Sequence, residues 1–194
     1  MALPKIVVFA GSIRTGAFSA QLASLVAREL PGLGAEVTHL SLADYELPIY
    51  NGDLEAAEGV PEAAKRLRDV LAGADGVFVV TPEYNAAVPP LLKNAIDWVS
   101  RVRASEGDAF KGPVWVIGST SPGAMGGYRA SMMLRQVLAL GLSALVLGEQ
   151  MAVGSAGQAF DEAGALKEER QMKQLRGVLS RLIEEAGRRA ASRA

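Results

Sequence analysis

Four short apolar runs carry almost no polar alternation: Ile6–Ala10, Val77–Thr81, Val114–Gly118 and Ala144–Leu147. A strand with one face in water alternates apolar and polar residues, so runs of this kind predict strands covered on both faces. A sheet held between two helical layers buries strands this way, and such sheets are parallel. Glu36–Leu40 alternates more and is expected at a sheet edge.

Helical patterns lie between the runs. They are Ser19–Leu30, with Leu22, Leu25, Val26 and Leu30 periodic, Pro61–Leu71, Pro89–Val102, Gly127–Leu140 and Leu166–Arg189. Pro61 stands where Pro is favoured as a first helical residue. In the last helix Met172, Leu175, Leu179, Leu182, Ile183 and Ala186 form one stripe, read as core packing. The Ala/Arg-rich end, 186–194, is expected to fray. Strand and helix alternate five times. The expectation is one domain over residues 1–194, an α/β chain with a flavodoxin-like three-layer α/β/α fold. Its five-stranded parallel sheet has order 2-1-3-4-5 and right-handed crossovers. Ligands of such sheets sit outside the carboxyl ends of the strands, where strand order reverses. That points to the loops after Ile6–Ala10, Val77–Thr81 and Val114–Gly118.

The first of these loops reads GSIRTGAFS, from Gly11 to Ser19. Gly11 and Gly16 are spaced as in a P-loop, but Ala17 and Phe18 replace its Lys and its Ser/Thr. The triphosphate clamp and the Mg²⁺ ligand are absent. What remains is a helix N-terminus with Ser12, Ser19 and Arg14, which suits a monophosphate. An ordinary βα turn is the alternative. The second loop, Thr81 to Pro90, places Pro82, Glu83, Tyr84 and Asn85 on stiff backbone that suits the polar edge of a planar ring. Glu83 is either a general acid or base, or an N-cap or solvated charge. The third, Ser119 to Tyr128, holds hydroxyls and glycines that let backbone approach a ligand. It is not a G-x-G-x-x-G dinucleotide fingerprint. One phosphate and one flat ring together describe FMN.

Composition excludes other chemistries. There is no Cys, hence no disulfide, thiolate metal site or Cys nucleophile, and His39 is the single histidine. Twenty basic against 21 acidic side chains leave a net charge of −1, which offers no electrostatic reason to bind nucleic acid or membranes. The N-terminus does not read as a signal peptide, and the apolar stretch Val137–Leu147 is too short to span a bilayer. A cytoplasmic protein is expected.

Four blocks, in order, carry a family resemblance: GSIR at 11–14, LPIYNGD at 47–53, TPEYN at 81–85 with LLKNAIDWVSR at 91–101, and GAMGGYR at 123–129. The sequence resembles the NADPH-dependent FMN reductase family, in its chromate/quinone reductase and azoreductase branch. The resemblance implies a bound FMN, with NADPH or NADH as donor. Quinones, free flavin, azo compounds or metal oxyanions such as chromate would be acceptors in a ping-pong reaction. It implies that Ser12, Arg14 and Ser19 hold the FMN phosphate. Pro82, Glu83, Tyr84 and Asn85 would line the ring and ribityl chain, and Thr120, Ser121 and Gly123 its far edge. Tyr84 would lie beside the reacting ring, and no side chain is required as a nucleophile. Arg101 and Tyr128 would sit near subunit contacts of a homodimer or homotetramer. Ala17 and Ser19 depart from the family's common Ser and Asn, and Ala86, Ala87 and Pro90 depart on the acceptor side. Arg101, Arg103 and Arg129 are candidates for the 2′-phosphate of NADPH. The rival readings are a flavodoxin-type electron carrier without NAD(P)H activity and a relative that has lost FMN.

Overall fold

The computed structural model describes residues 2–102 and 108–193. Five parallel strands form one sheet: β1 (Lys5–Ala10), β2 (Glu36–His39), β3 (Gly76–Pro82), β4 (Val114–Thr120) and β5 (Leu145–Val153). Their order is β2-β1-β3-β4-β5. The helices are α1 (Phe18–Gly32), α2 (Gly52–Glu58), α3 (Glu62–Ala72), α4 (Pro90–Arg101), α5 (Tyr128–Arg135), α6 (Ala156–Ala159) and α7 (Glu169–Arg193). A 3₁₀ turn spans Leu42–Asp44, and α5 runs on as π-helix over Gln136–Gly141.

The apolar runs are buried for the expected reason. Ile6, Val8 and Ala10 pack with α1 and α7, while Val7 and Phe9 face the layer of α3 and α4. Phe78 and Val80 against Val77 and Val79 divide in the same way on β3. The α7 stripe holds: Leu175, Leu179, Leu182 and Ala186 are fully buried, with Met172 and Ile183 packed against them.

Several boundaries differ. The fourth run is not a doubly covered strand. It begins β5, a longer edge strand that continues through Gly148, Glu149 and Gln150, with Leu145 exposed. A bulge shifts its register opposite Trp115–Ile117, and Arg135 Nη1 donates to the Leu147 carbonyl there at 2.6 Å. The turn-like Gly-Glu-Gln composition belongs to that irregular edge. Pro61 caps α3 from outside the helix instead of starting it. The C-terminal end does not fray at Ala186: α7 reaches Arg193, and Arg189 donates to the Lys111 carbonyl at 3.0 Å. Helix α2 is an addition, fastened through the segment before it. On α4, Asn94 accepts from Tyr50 N at 2.8 Å and donates to the Pro48 carbonyl at 2.9 Å. Trp98 Nε1 donates to the same carbonyl at 2.7 Å. Arg101 Nε donates to Glu55 of α2 at 3.0 Å, and Glu55 also accepts the Tyr50 hydroxyl at 2.9 Å. The Tyr50 hydroxyl and then Arg101 hold the Glu55 carboxyl below its ordinary pKa.

Asn94 satisfies two backbone groups with one side chain. Asn94→Ala is expected to lower the unfolding free energy by about 1–3 kcal/mol, the range for groups left without partners. Urea titration measures it. Asn94→Asp, which keeps the acceptor for Tyr50 N, is expected to lose less.

Candidate active site

Strand order reverses between β1 and β3, so the loops after β1, β3 and β4 rise side by side at the carboxyl edge. Gly11 begins the first loop. Its N–H donates to the Val80 carbonyl at 2.8 Å, and a Cβ there would lie 2.8 Å from Leu92 Cδ2. Only glycine lets the loop leave β1 so close to α4.

Beyond Gly11 the loop folds on itself. Arg14 N donates to Ser12 Oγ at 3.3 Å, Ala17 N donates to the Arg14 carbonyl at 3.1 Å, and Gly16 takes φ 69°. The Arg14 guanidinium lies over the loop, donating to the carbonyls of Thr15 at 3.2 Å and Gly16 at 3.4 Å. Helix α1 then starts in an unusual state. Its N-cap is Ala17, with extended φ −61° and ψ 135° but no side-chain oxygen, and its first turn holds no acidic residue. One residue into the helix, Ser19 Oγ is buried with no hydrogen-bond partner among the described residues. A positive helix end, an orphaned hydroxyl and a nearby guanidinium form a cradle for an anion.

After β3 the chain makes a tight turn. Tyr84 and Ala87 exchange N–H···O=C bonds of 3.0 Å each, with Asn85 at φ 50° and Ala86 at φ 65° between them. Asn tolerates the left-handed region, whereas Ala there costs on the order of 1 kcal/mol. The turn leaves the Tyr84 ring about half exposed at the mouth of the crevice. Glu83 points the other way. Its carboxylate accepts from Arg129 N at 3.1 Å and Ala130 N at 3.2 Å, and pairs with the Arg129 guanidinium at 2.7 Å. It therefore caps the first turn of α5, and it does not stand free in the crevice as an acid or base. Burial pushes its carboxyl up, but the Arg129 hydrogen bond, the Ala130 N–H and the Arg129 charge outweigh that, so its pKa lies below the ordinary value.

The third loop is shorter than its sequence suggests, because Ser119 and Thr120 complete β4 and are buried. Ser121 Oγ donates to the Gly123 carbonyl at 3.1 Å. That carbonyl also accepts from Gly126 N at 3.2 Å and Ser155 N at 3.1 Å. A Cβ on Gly154 would collide with the Ala124 carbonyl, so the loop lies directly on the turn after β5. Gly127, at φ 78°, caps α5. Met125 and Tyr128 stay exposed.

The fold thus gathers Ser12, Arg14, Pro82, Tyr84, Asn85, Thr120, Ser121 and Gly123 at one edge, with Ser19 beneath the first loop. Arg101 is elsewhere, at the far end of α4, about 18 Å along a helix of 12 residues. Arg103 lies outside the described residues. Arg129 belongs to the site as the partner of Glu83, 46 residues away, which no local spacing signals. Ser119 Oγ, a second buried hydroxyl without a partner among the described residues, was signalled only by the run of three hydroxyls. Among the described residues no group of three or more His, Cys, Asp or Glu could hold a metal ion.

Residues 4–158 match the family model described as NADPH-dependent FMN reductase. The chain is 39% identical over 154 residues to a quinone reductase of Escherichia coli (strain K12), covering 77% of each chain. It is 36% identical over 168 residues to an NAD(P)H-dependent FMN reductase of Pseudomonas aeruginosa, covering 86% of each. Among solved structures it is similar to FerB, a flavoenzyme NAD(P)H:(acceptor) oxidoreductase from Paracoccus denitrificans, with TM-score 0.78 and 27% identity. That match covers 96% of this chain and 99% of that one.

Glu83→Gln is expected to destabilise the protein at pH 7 by about 1.5 kcal/mol, the low end for charged hydrogen bonds because Arg129 is largely exposed. A carboxyl with a lowered folded-state pKa stabilises above its unfolded value, about 4.3, and loses that contribution as pH falls through the folded value. Urea melts of both proteins are expected to converge as the pH falls through the folded-state value of Glu83, which lies below that of the unfolded chain. Ala17→Ser supplies the missing N-cap oxygen and is expected to raise the stability of the flavin-free protein by about 0.5–2 kcal/mol, read by thermal melting.

Proposed function

Because the chain belongs to the NADPH-dependent FMN reductase family, we propose that it is an FMN-dependent oxidoreductase taking electrons from NAD(P)H and reducing quinones. The family uses FMN with NAD(P)H as donor. The observation that carries the proposal is the start of α1: an uncapped helix N-terminus, an orphaned Ser19 hydroxyl and the Arg14 guanidinium. These groups fit the phosphate of FMN, and no acidic side chain in the first turn opposes it.

Ser12, Arg14 and Ser19 hold the phosphate in this reading. Pro82, Tyr84 and Asn85 line the ring and its chain, and Thr120, Ser121 and Gly123 border the far edge. FMN, when bound, supplies the two-electron exchange between nicotinamide and acceptor. The protein supplies position. Tyr84 presents an aromatic face at the crevice mouth, where a nicotinamide or a quinone ring can pack. Glu83 is a positioning residue: ionised and held by Arg129 and α5, it joins the second and third loops and has no proton to give at neutral pH. The nicotinamide gives up two electrons and one hydrogen as hydride, and one further proton drawn from water completes the conversion of quinone to hydroquinone.

Quinones are favoured as acceptors by the relatives' chemistry, and free flavin, azo compounds and chromate follow as further acceptors. No helix among the described residues is long and apolar enough to cross a membrane. A cytoplasmic homodimer or homotetramer is the proposed working state, with Tyr128 exposed beside the site and Arg101 already engaged by Glu55 of its own chain.

An anaerobic titration tests the proposal. Protein loaded with FMN and freed of excess is expected to show a bound flavin band that bleaches with one equivalent of NADPH and returns on adding a quinone. A band that persists would make the protein an electron carrier, and a protein that retains no flavin would reject the assignment. Arg14→Ala is expected to weaken FMN binding by roughly 1.5–3 kcal/mol, the range for a hydrogen bond to a charged group.

A further inference from the structure

A cavity of about 320 Å³ opens between the first turns of α1 and the end of β2, on the side of β1 away from β3. Ser12 and Ser24 line it from one side, and His39, Ser41 and Asp44 from the other. Ala10 and Leu40, both buried, add apolar surface. The loops that carry Tyr84 and Ser121 take no part in it. Ser12 does, and Ser12 also belongs to the anion cradle, so cavity and cradle share a wall.

The lining is rich in unused hydrogen-bonding capacity. Ser12 Oγ accepts from Arg14 N at 3.3 Å and Ser41 Oγ from Ala43 N at 3.2 Å, which leaves each hydroxyl proton free to donate. The Asp44 carboxylate accepts no hydrogen bond and joins no ion pair among the described residues. Desolvation lowers the pKa of the His39 imidazole, which is therefore neutral at pH 7 and offers one donor and one acceptor. No Lys or Arg lines the space. An uncharged group carrying several hydroxyls matches this lining, and the volume falls at the lower end for small-ligand pockets, roughly 300–1,000 Å³. In dinucleotide-binding sheets a carboxylate beyond the second strand accepts from the hydroxyls of the adenosine ribose. Asp44 stands in that place, in the 3₁₀ turn that follows β2. The lack of a cation suits a ribose with free hydroxyls, not one bearing a 2′-phosphate.

FMN ends at its phosphate, and with that phosphate in the cradle the cavity beside it stays empty. We propose that this cavity is an adenosine subsite continuous with the cradle, so that the chain binds flavin adenine dinucleotide (FAD) as well as FMN, with the adenosine ribose held by Asp44. The inference rests on the FMN reading above. Arg14 supplies the cation for the second phosphate. Its guanidinium now donates to two neutral carbonyls, Thr15 at 3.2 Å and Gly16 at 3.4 Å, and a phosphate is the stronger acceptor.

Isothermal titration calorimetry of the flavin-free protein with FMN and with FAD tests the subsite without reference to activity. Wild type is expected to bind FAD at least as tightly as FMN. Asp44→Ala, at an exposed position, is expected to weaken FAD binding roughly tenfold to a hundredfold, the loss of a hydrogen bond to a charged group, and to leave FMN affinity unchanged. Ser24→Phe fills the cavity from α1 and is expected to have the same selective effect, with the fold checked by circular dichroism. Wild type that binds FAD more weakly than FMN would overturn the subsite and leave the FMN reading standing. So would equal FAD affinity in wild type and both variants, since the adenosine would then lie outside the cavity. A protein that binds neither flavin would bring down the FMN reading and the subsite with it.

Discussion

Removal of both faces of β1, β3 and β4 from water governs the rest of this molecule. Val7 and Phe9 bury toward α3 and α4 while Ile6, Val8 and Ala10 bury toward α1 and α7. A strand with no wet face must be flanked by strands and covered by helices, and each helix must cross from one end of the sheet to the other. Right-handed crossovers then send β2 to one side of β1 and β3 to the other. The crevice where this divergence occurs follows from the burial constraint, and the binding loops occupy it.

Within the crevice the loops are held by a few polar contacts. Glu83 leaves the loop after β3 to cap α5, which follows the loop after β4, so the two loops are tied through one carboxylate. The same contact keeps a charged group away from the space beside Tyr84. The turn at Asn85 and Ala86 stays in its left-handed conformation because the Tyr84–Ala87 bonds close it. The first loop is the opposite case. Its helix end has no side-chain cap, and the Ser19 hydroxyl has no partner among the described residues, so groups that other turns satisfy within the chain stay open here.

Helix α4 links this edge to a second surface. Its N-terminal end follows the Tyr84 turn and packs Leu92 against Gly11. Further along, Asn94, Trp98 and Arg101 share one stripe and fasten the segment 48–55, which presents Ile49 to solvent.

The periodicities of the apolar residues placed the strands and the long helices, because burial on two faces and helical amphipathicity each leave a local pattern, and the order of the sheet followed from the count of five alternating strands. The three loops were legible from their Gly, Pro and hydroxyl content. The extent of β5 was not, since Gly148, Glu149 and Gln150 lie in a bulged edge strand where one side faces solvent and polar residues are tolerated. Short helix α2 was missed for a related reason: it buries no residue and is held by hydrogen bonds from α4. Chemistry by residue type was available from the chain alone: no thiol, one imidazole, and a helix start able to receive a phosphate. The role of each group was decided in three dimensions. Glu83 could have been an acid, a base or a cap, and only the approach of Arg129 and Ala130 from 46 and 47 residues away made it a cap. A hydrogen bond depends on distance in space, and a sequence records distance only along the chain.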